Sequence, residues 1–266
     1  MRGDSIAFHN HYREFYLKTF FPYLEEHGIK NVYQLGDLFD RRKYISFQTL
    51  ALSRKYFFDV MKRKEIQFYT LLGNHDITFK NTLEVNSPQL LLQEYENICI
   101  FDKPFNDKEL GIDIIPWICK DNEAEIMEYI KNSTNQICFG HFELQGFEMD
   151  RGNVCIDGLD RNVFSRYNMV MSGHFHHKSS DGQIFYVGSP NDDSYGTNAG
   201  LVYEFDNQNN NSITVVRNSV FFKPPVSYDF SKLRNEITSF KNYLINNNTS
   251  KKFSCDSSGN FLLAGA

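Results

Sequence analysis

The sequence has no uninterrupted apolar run approaching the ~18–20 residues that a membrane helix needs, which excludes a helical span. Its opening, MRGDSIAFHNHYREF, lacks the apolar stretch of a secretory signal. Cysteine is sparse: five residues, an odd number, widely spaced and never in a CxxC pair. A disulfide framework or zinc ribbon is therefore not expected. Cys99, Cys119 and Cys138 sit in apolar runs, where cysteine acts as a small core hydrophobe. These absences point to a reducing, cytoplasmic setting, in which the Asn-x-Ser/Thr matches at Asn132 and Asn248 carry no meaning. Excess positive charge is also lacking. Lys and Arg number 28 against 33 Asp and Glu, a net charge of −5, unlike the basic face of a bulk nucleic-acid binder. A cluster of carboxylates that holds cations would reverse that field locally.

What is present is aromatic. With 25 Phe and 15 Tyr in 266 residues, 41% of them hydrophobic, the chain has material for one large core and is not disordered. Apolar positions spaced 3–4 apart predict helices over 6–27, 47–64, 88–95 and 122–132. Short apolar runs predict strands at 31–35, 67–72, 97–101, 110–116, 136–139, 168–172, 183–187, 200–205 and 212–217. Helices alternating with strands early, then strands alone, predict an α/β sandwich with mixed sheets. The tract 207–211 reads as a hairpin tip, and Lys223-Pro224-Pro225 as a linker. One domain is expected over 1–222. Beyond it, 223–266 is expected to hold the linker, an amphipathic helix striped by Leu233, Ile237, Phe240 and Leu244, and a polar tail.

Four of the strands end in glycine followed at once by a metal-competent side chain. They are Gly36-Asp37-Leu38-Phe39-Asp40, Gly73-Asn74-His75-Asp76, Gly140-His141 and Gly173-His174-Phe175-His176. Ligands of α/β sheets gather beyond the carboxyl ends of strands, and glycine there lets the chain turn sharply. Oxygen and nitrogen donors converging from four strands suit Mn²⁺, Fe or Zn²⁺ better than Mg²⁺ or Ca²⁺ alone. Two basic runs, Arg41-Arg42-Lys43 and Lys62-Arg63-Lys64, are candidates for phosphate contact, with exposed turns and a helix C-terminus as the plainer alternative.

The four motifs together resemble the calcineurin-like metallophosphoesterases. In finer detail the chain is similar to SbcD-type nuclease subunits of double-strand-break repair, including those of phage recombination endonucleases. Ile115-Pro116-Trp117, His141-Phe142-Glu143 and Val187-Gly188-Ser189-Pro190 add to that likeness over about 2–222. The resemblance implies a four-layer α/β/β/α sandwich and two divalent metal ions, Mn²⁺ foremost. Asp37 would bridge the ions. Asn74, His141 and His174 would complete one site, and His176 would belong to the other. His75 would touch the scissile phosphate and serve the leaving oxygen, with Asp76 orienting it. The implied partners are DNA, an SMC-like ATPase docked through the 230–245 stripe, and a second copy of the chain.

One part of the pattern is missing. The family opens with a strand ending in Asp-x-His, which would stand just ahead of Arg2-Gly3-Asp4-Ser5. Either the coding region begins further upstream, or this is a one-metal or degenerate protein. His9 and His11, on the first helix, are read as surface histidines rather than substitutes. The sheet is then expected to lack its first central strand and leave backbone groups unpaired, making the chain less stable and less active than a longer one. Two alternatives to a nuclease stay open: a phosphoesterase of small substrates, and a non-catalytic binding protein.

Overall fold

The computed structural model describes residues 6–108, 110–150 and 152–189, together with the backbone of strands 201–206, 212–217 and 260–264. Helix α1 (Ile6–Phe15) runs through a π-turn at Tyr16–Phe20 into α2 (Phe21–Glu26). Strand β1 (Asn31–Gln34) follows. A second helical stretch joins α3 (Phe47–Ser53), a π-turn at Arg54–Phe58 and α4 (Asp59–Arg63). Then come β2 (Gln67–Leu71), α5 (Ser87–Leu92), β3 (Ile98–Phe101), β4 (Phe105–Asp107) and β5 (Ile112–Ile115). Helix α6 (Glu123–Asn132) leads to β6 (Ile137–Gly140), the small hairpin of β7 (Glu148–Asp150) and β8 (Asn153–Val154), and β9 (Met169–Ser172). Strands β10 (Ser179–Ser180), β11 (Ile184–Tyr186), β12 (Leu201–Asp206), β13 (Ser212–Arg217) and β14 (Asn260–Ala264) complete the set.

Two six-stranded mixed sheets result, in the orders β13-β12-β14-β1-β2-β3 and β10-β11-β9-β6-β5-β4. The inner strands β5, β6 and β9 are buried on both faces, as strands covered on both sides must be. In β1, Tyr33 faces the second sheet and Val32 faces the helices; in β6, Phe139 faces the first sheet and Cys138 the outer layer. Tyr33, Leu71, Ile114, Phe139 and Met171 fill the space between the sheets. Phe15, Phe20, Phe21, Phe57, Phe58 and Phe68 form the layer under α1–α4, with Phe20–Phe21 and Phe57–Phe58 ring centroids each 5.2 Å apart. Ile126, Ile130 and Phe164 cover the far side of the second sheet. This is the expected α/β/β/α arrangement, with seven of the 25 phenylalanines buried in the layer under the helices of the first sheet.

The expected gap at the centre of the first sheet is not there. Strand β14 lies parallel to β1, with Asn31 opposite Phe261 and Gln34 opposite Ala264, and antiparallel to β12. The ladder edge of β1 that was expected to be orphaned is therefore paired. Asn260–Ala264, assigned from sequence to a polar tail outside the domain, is instead an internal strand of it. Its Phe261-Leu262-Leu263 core is an apolar run of the kind that central positions require. The stripe 230–245 and the linker at 223–225 lie outside the described residues, as do Asp4 and Ser5.

The two basic runs differ in setting. Lys62-Arg63 closes α4, the helix C-terminus foreseen. Arg41–Lys43 lies in the loop directly after Asp37.

Candidate metal centre

The centre forms where β1 and β2 of one sheet and β6 and β9 of the other end side by side. These strands run parallel within their sheets, so their carboxyl ends point the same way. Asp37, Asn74, His141 and His174 each lie one to three residues past one of those ends. Asp37 has φ 56° and His174 φ 81°, two of the three non-glycine residues with positive φ among the described residues. Such backbone is strained for side chains with a Cβ and persists only where its surroundings hold it.

The glycines make room for this crowding. Gly36 has φ 86°, and a Cβ on it would lie 2.4 Å from His141 Nδ1. At Gly73 the sharp turn anticipated from sequence is not the reason. A Cβ there would meet Asp37 Oδ1 and the Asp37 amide nitrogen at 2.3 Å. Buried Gln34 braces the turn, with its Oε1 accepting from the Gly36 amide at 3.1 Å and from Thr70 Oγ1 at 2.6 Å.

Four donor atoms converge. Asn74 Oδ1 lies 3.1 Å from both His141 Nε2 and His174 Nδ1, those two nitrogens are 3.2 Å apart, and His141 Nε2 is 3.3 Å from Asp37 Oδ2. Ligand bonds of ~2.0–2.2 Å imply donor separations of roughly 3.0–3.5 Å around a transition-metal ion, so the spacing fits. The tautomer fits as well. His141 is fully buried and its Nδ1–H donates to the Leu35 carbonyl at 2.7 Å, leaving the Nε2 lone pair facing inward. Lone pairs of oxygen and nitrogen facing one another repel unless a cation or a proton lies between them. Without a metal the Asn74 amide has a second way to satisfy the site. Turned so that its nitrogen faces inward, it donates to both imidazoles at 3.1 Å and to Asp37 Oδ2 at 3.2 Å, and its oxygen accepts from Arg42 Nη2 at 3.0 Å.

The charges follow the same logic. Burial opposes ionisation of Asp37, but His141 and His75 outweigh it and hold the carboxyl well below its usual range. Burial pulls the His141 imidazole down, and Asp37 more than restores it, a net rise. His174 is pushed down to about 3, first by burial and then by His141, so its ring is neutral and able to ligate.

His75 and Asp76 do not pair as expected. The His75 ring is fixed through Nδ1 to the Asp40 carbonyl at 2.6 Å, and its amide donates to Asp37 Oδ1 at 2.7 Å. Asp76 is fully buried and is taken up by backbone. Its Oδ2 accepts from the amides of Asp37 and Gly73, both at 2.8 Å, and its Oδ1 from Leu38 at 2.9 Å and Phe39 at 3.3 Å. Both oxygens are spent on binding the two ligand loops together, which leaves none to orient an imidazole. Burial and the Asp37 charge raise its pKa to about 7, against the pull of those amides.

Asp37, His141 and His174 form the one group of three or more such side chains gathered within 4.8 Å among the described residues. His176 lies outside it, on an exposed position, near enough to lower the His174 pKa. His9 and His11 lie outside it too. His9 is not a surface residue, since it is buried with Nε2 3.1 Å from Thr49 Oγ1.

Sequence reading gave three neighbours no role at the site, although Trp117 and Glu143 stand in segments that carry the family likeness. Trp117, half-buried, packs its ring 5.9 Å from that of His141 and 5.2 Å from that of His174. Glu143 Oε2 lies 3.8 Å from His174 Nε2, on the side of the ring away from the centre. Gln34 is the third. The lone tryptophan and a glutamine closing an apolar strand were the available signals.

Residues 9–178, more than half of the chain, match the calcineurin-like phosphoesterase family. The chain belongs to that family. It is also 37% identical over 176 residues to exonuclease subunit 1 of Enterobacteria phage T4, a match covering 65% of this chain and 51% of that protein. The chain thus spans about half the length of this curated relative. Among the described residues no helix is long and apolar enough to cross a membrane.

Proposed function

We propose that this protein is a divalent-metal-dependent phosphodiester hydrolase that cuts DNA in recombination and repair, as one subunit of a larger assembly. The observation that carries the reading is the convergence of Asp37, Asn74, His141 and His174 at donor spacings that suit a metal ion. The likeness to a relative named as an exonuclease subunit supports DNA as substrate and a partner subunit. Manganese is the proposed ion, since the donor set mixes carboxylate, amide and imidazole. A second ion would share Asp37 and take His176. Divalent cations in such a centre supply positive charge for phosphoryl oxygens and a nucleophile at neutral pH.

The protein's own groups do the rest. His75, with Nδ1 committed to Asp40, keeps Nε2 for the leaving oxygen and delivers a proton there when the ring is charged. Asp76 holds the Asp37 and Asn74 loops at fixed separation, and Trp117 wedges the two imidazoles. The partner is proposed to be an SMC-like ATPase, docked through Leu233, Ile237, Phe240 and Leu244, with a second copy of the chain completing the assembly. Because β14 lies beyond this stripe, the docking role is tested by polar substitutions in it and not by removing the C-terminal segment.

Hydrolysis of linear DNA, bis-p-nitrophenyl phosphate and p-nitrophenyl phosphate in Mn²⁺ tests the reading. Cleavage of DNA and the diester, lost in His141→Ala, is expected. Preference for the monoester would point to a small-substrate phosphoesterase, and no turnover with no bound metal to a binding protein.

A further inference from the structure

The segment 40–47, the loop after Asp37 with the first residue of α3 and called loop 40–47 below, has a composition that the metal centre does not use. It carries Arg41, Arg42 and Lys43, then Tyr44 and Phe47, which are 61% and 91% exposed. In a chain of net charge −5, three successive cations beside two exposed rings form a local exception. The loop is also anchored to the centre at two points. The Asp40 carbonyl holds the His75 ring, and Arg42 Nη2 reaches the Asn74 oxygen when that amide is turned outward. Once the Asn74 oxygen turns inward to a cation, Arg42 loses that acceptor at the rim of the site, where an anionic group would replace it.

The rings are close by. Tyr44 is two residues from Arg42 and Phe47 five, at most about 7 and 18 Å along an extended chain. Arg41 fixes Tyr44, with its guanidinium 4.9 Å from the ring centroid and Nη1 donating to the hydroxyl at 2.6 Å. Phe47 opens α3, where the Ser46 side chain accepts from the Thr49 amide at 3.1 Å and sets the helix start.

We propose that loop 40–47 receives an unpaired DNA strand at the metal centre, with Arg42 on a backbone phosphate and Tyr44 and Phe47 stacking on bases. This deepens the nuclease reading and rests on it. Within a duplex both faces of a base are covered by its neighbours, so exposed rings gain contacts only from unpaired bases, and such stacking is indifferent to sequence. The adjacent cations select a polyanion over an apolar protein surface.

The test is binding of fluorescein-labelled oligothymidine and of a blunt duplex by fluorescence anisotropy, with Ca²⁺ in place of Mn²⁺ to limit cleavage. The double variant Tyr44→Ala/Phe47→Ala should bind oligothymidine about tenfold or more weaker while duplex affinity changes less than about threefold. Phe47→Trp should retain oligothymidine affinity, and Arg42→Ala should weaken both ligands. Unchanged oligothymidine affinity in the double variant, with an unchanged melting temperature, overturns the proposal. So does an equal loss for both ligands, which would mark a general DNA surface. If the wild-type chain cuts no DNA in Mn²⁺, the nuclease reading itself fails, and that result is separate from any behaviour of the loop variants.

Discussion

Asp76 takes four backbone amides on two oxygens, and by doing so sets the distance between the loops that carry Asp37 and Asn74. Asp76→Ala leaves four donors without that acceptor in a fully buried place, at ~1–3 kcal/mol for each one that stays unsatisfied. The expected result is a loss of at least about 3 kcal/mol in urea unfolding and a metal affinity lowered more than tenfold. Unchanged values for both would show that the loops hold themselves. Gly73→Ala is the companion case. Its new Cβ falls on the Asp37 backbone and carboxylate, so Mn²⁺ affinity should drop while bulk secondary structure by circular dichroism stays. The proposed ligands Asp37, Asn74, His141 and His174 were legible from sequence because each follows a glycine at or just past a strand end. Asp76 was misread because the letters show a carboxylate beside a histidine, whereas its true partners are main-chain amides that no letter displays. His9 was misread for a related reason: a helix face that looks polar is buried against Thr49 by tertiary packing.

At the scale of elements, periodicity carried far. The helices and most of the strands fall within a few residues of where apolar spacing placed them, because inner strands such as β5, β6 and β9 are covered on both faces and read as apolar runs. Strand β4, the hairpin β7–β8 and the two-residue β10 were not foreseen, being too short to show a pattern. Strand β14 was missed for a different reason. Five residues in a polar surrounding look like a tail, and only parallel pairing with β1 and antiparallel pairing with β12 make them central. A proline in a central strand removes a ladder hydrogen bond and cannot be accommodated as it is at an edge. Leu262→Pro should therefore destabilise the chain by about 3 kcal/mol or more, read as a lower melting temperature. A melting temperature equal to wild type would place β14 outside the sheet.

For the whole molecule, charge and metal are linked. His141 keeps its proton to higher pH than a free imidazole, chiefly because the Asp37 carboxylate offsets burial, yet ligation needs its Nε2 lone pair. Lowering the pH through that raised pKa therefore sets protons against metal, and affinity should fall in step. Calorimetric titration in buffers of different ionisation enthalpy should show up to about one proton released per ion bound. Affinity independent of pH between about 5 and 8 would contradict the assignment of His141 as a ligand. The four-layer fold would thus act as a clamp: each sheet delivers one half of the proposed donor set, the Asp76 amide network fixes the Asp37 and Asn74 half, and His141 Nδ1 on the Leu35 carbonyl ties the other half to it.

The most direct measurement is electron paramagnetic resonance of the Mn²⁺-loaded chain with pulsed detection of nitrogen couplings. Imidazole nitrogen couplings should be present in the wild type, reduced in His141→Ala and in His174→Ala, and absent when both are replaced together with His176. Bound manganese whose spectrum carries no nitrogen coupling, or whose coupling survives the triple replacement, would show that the cation sits elsewhere.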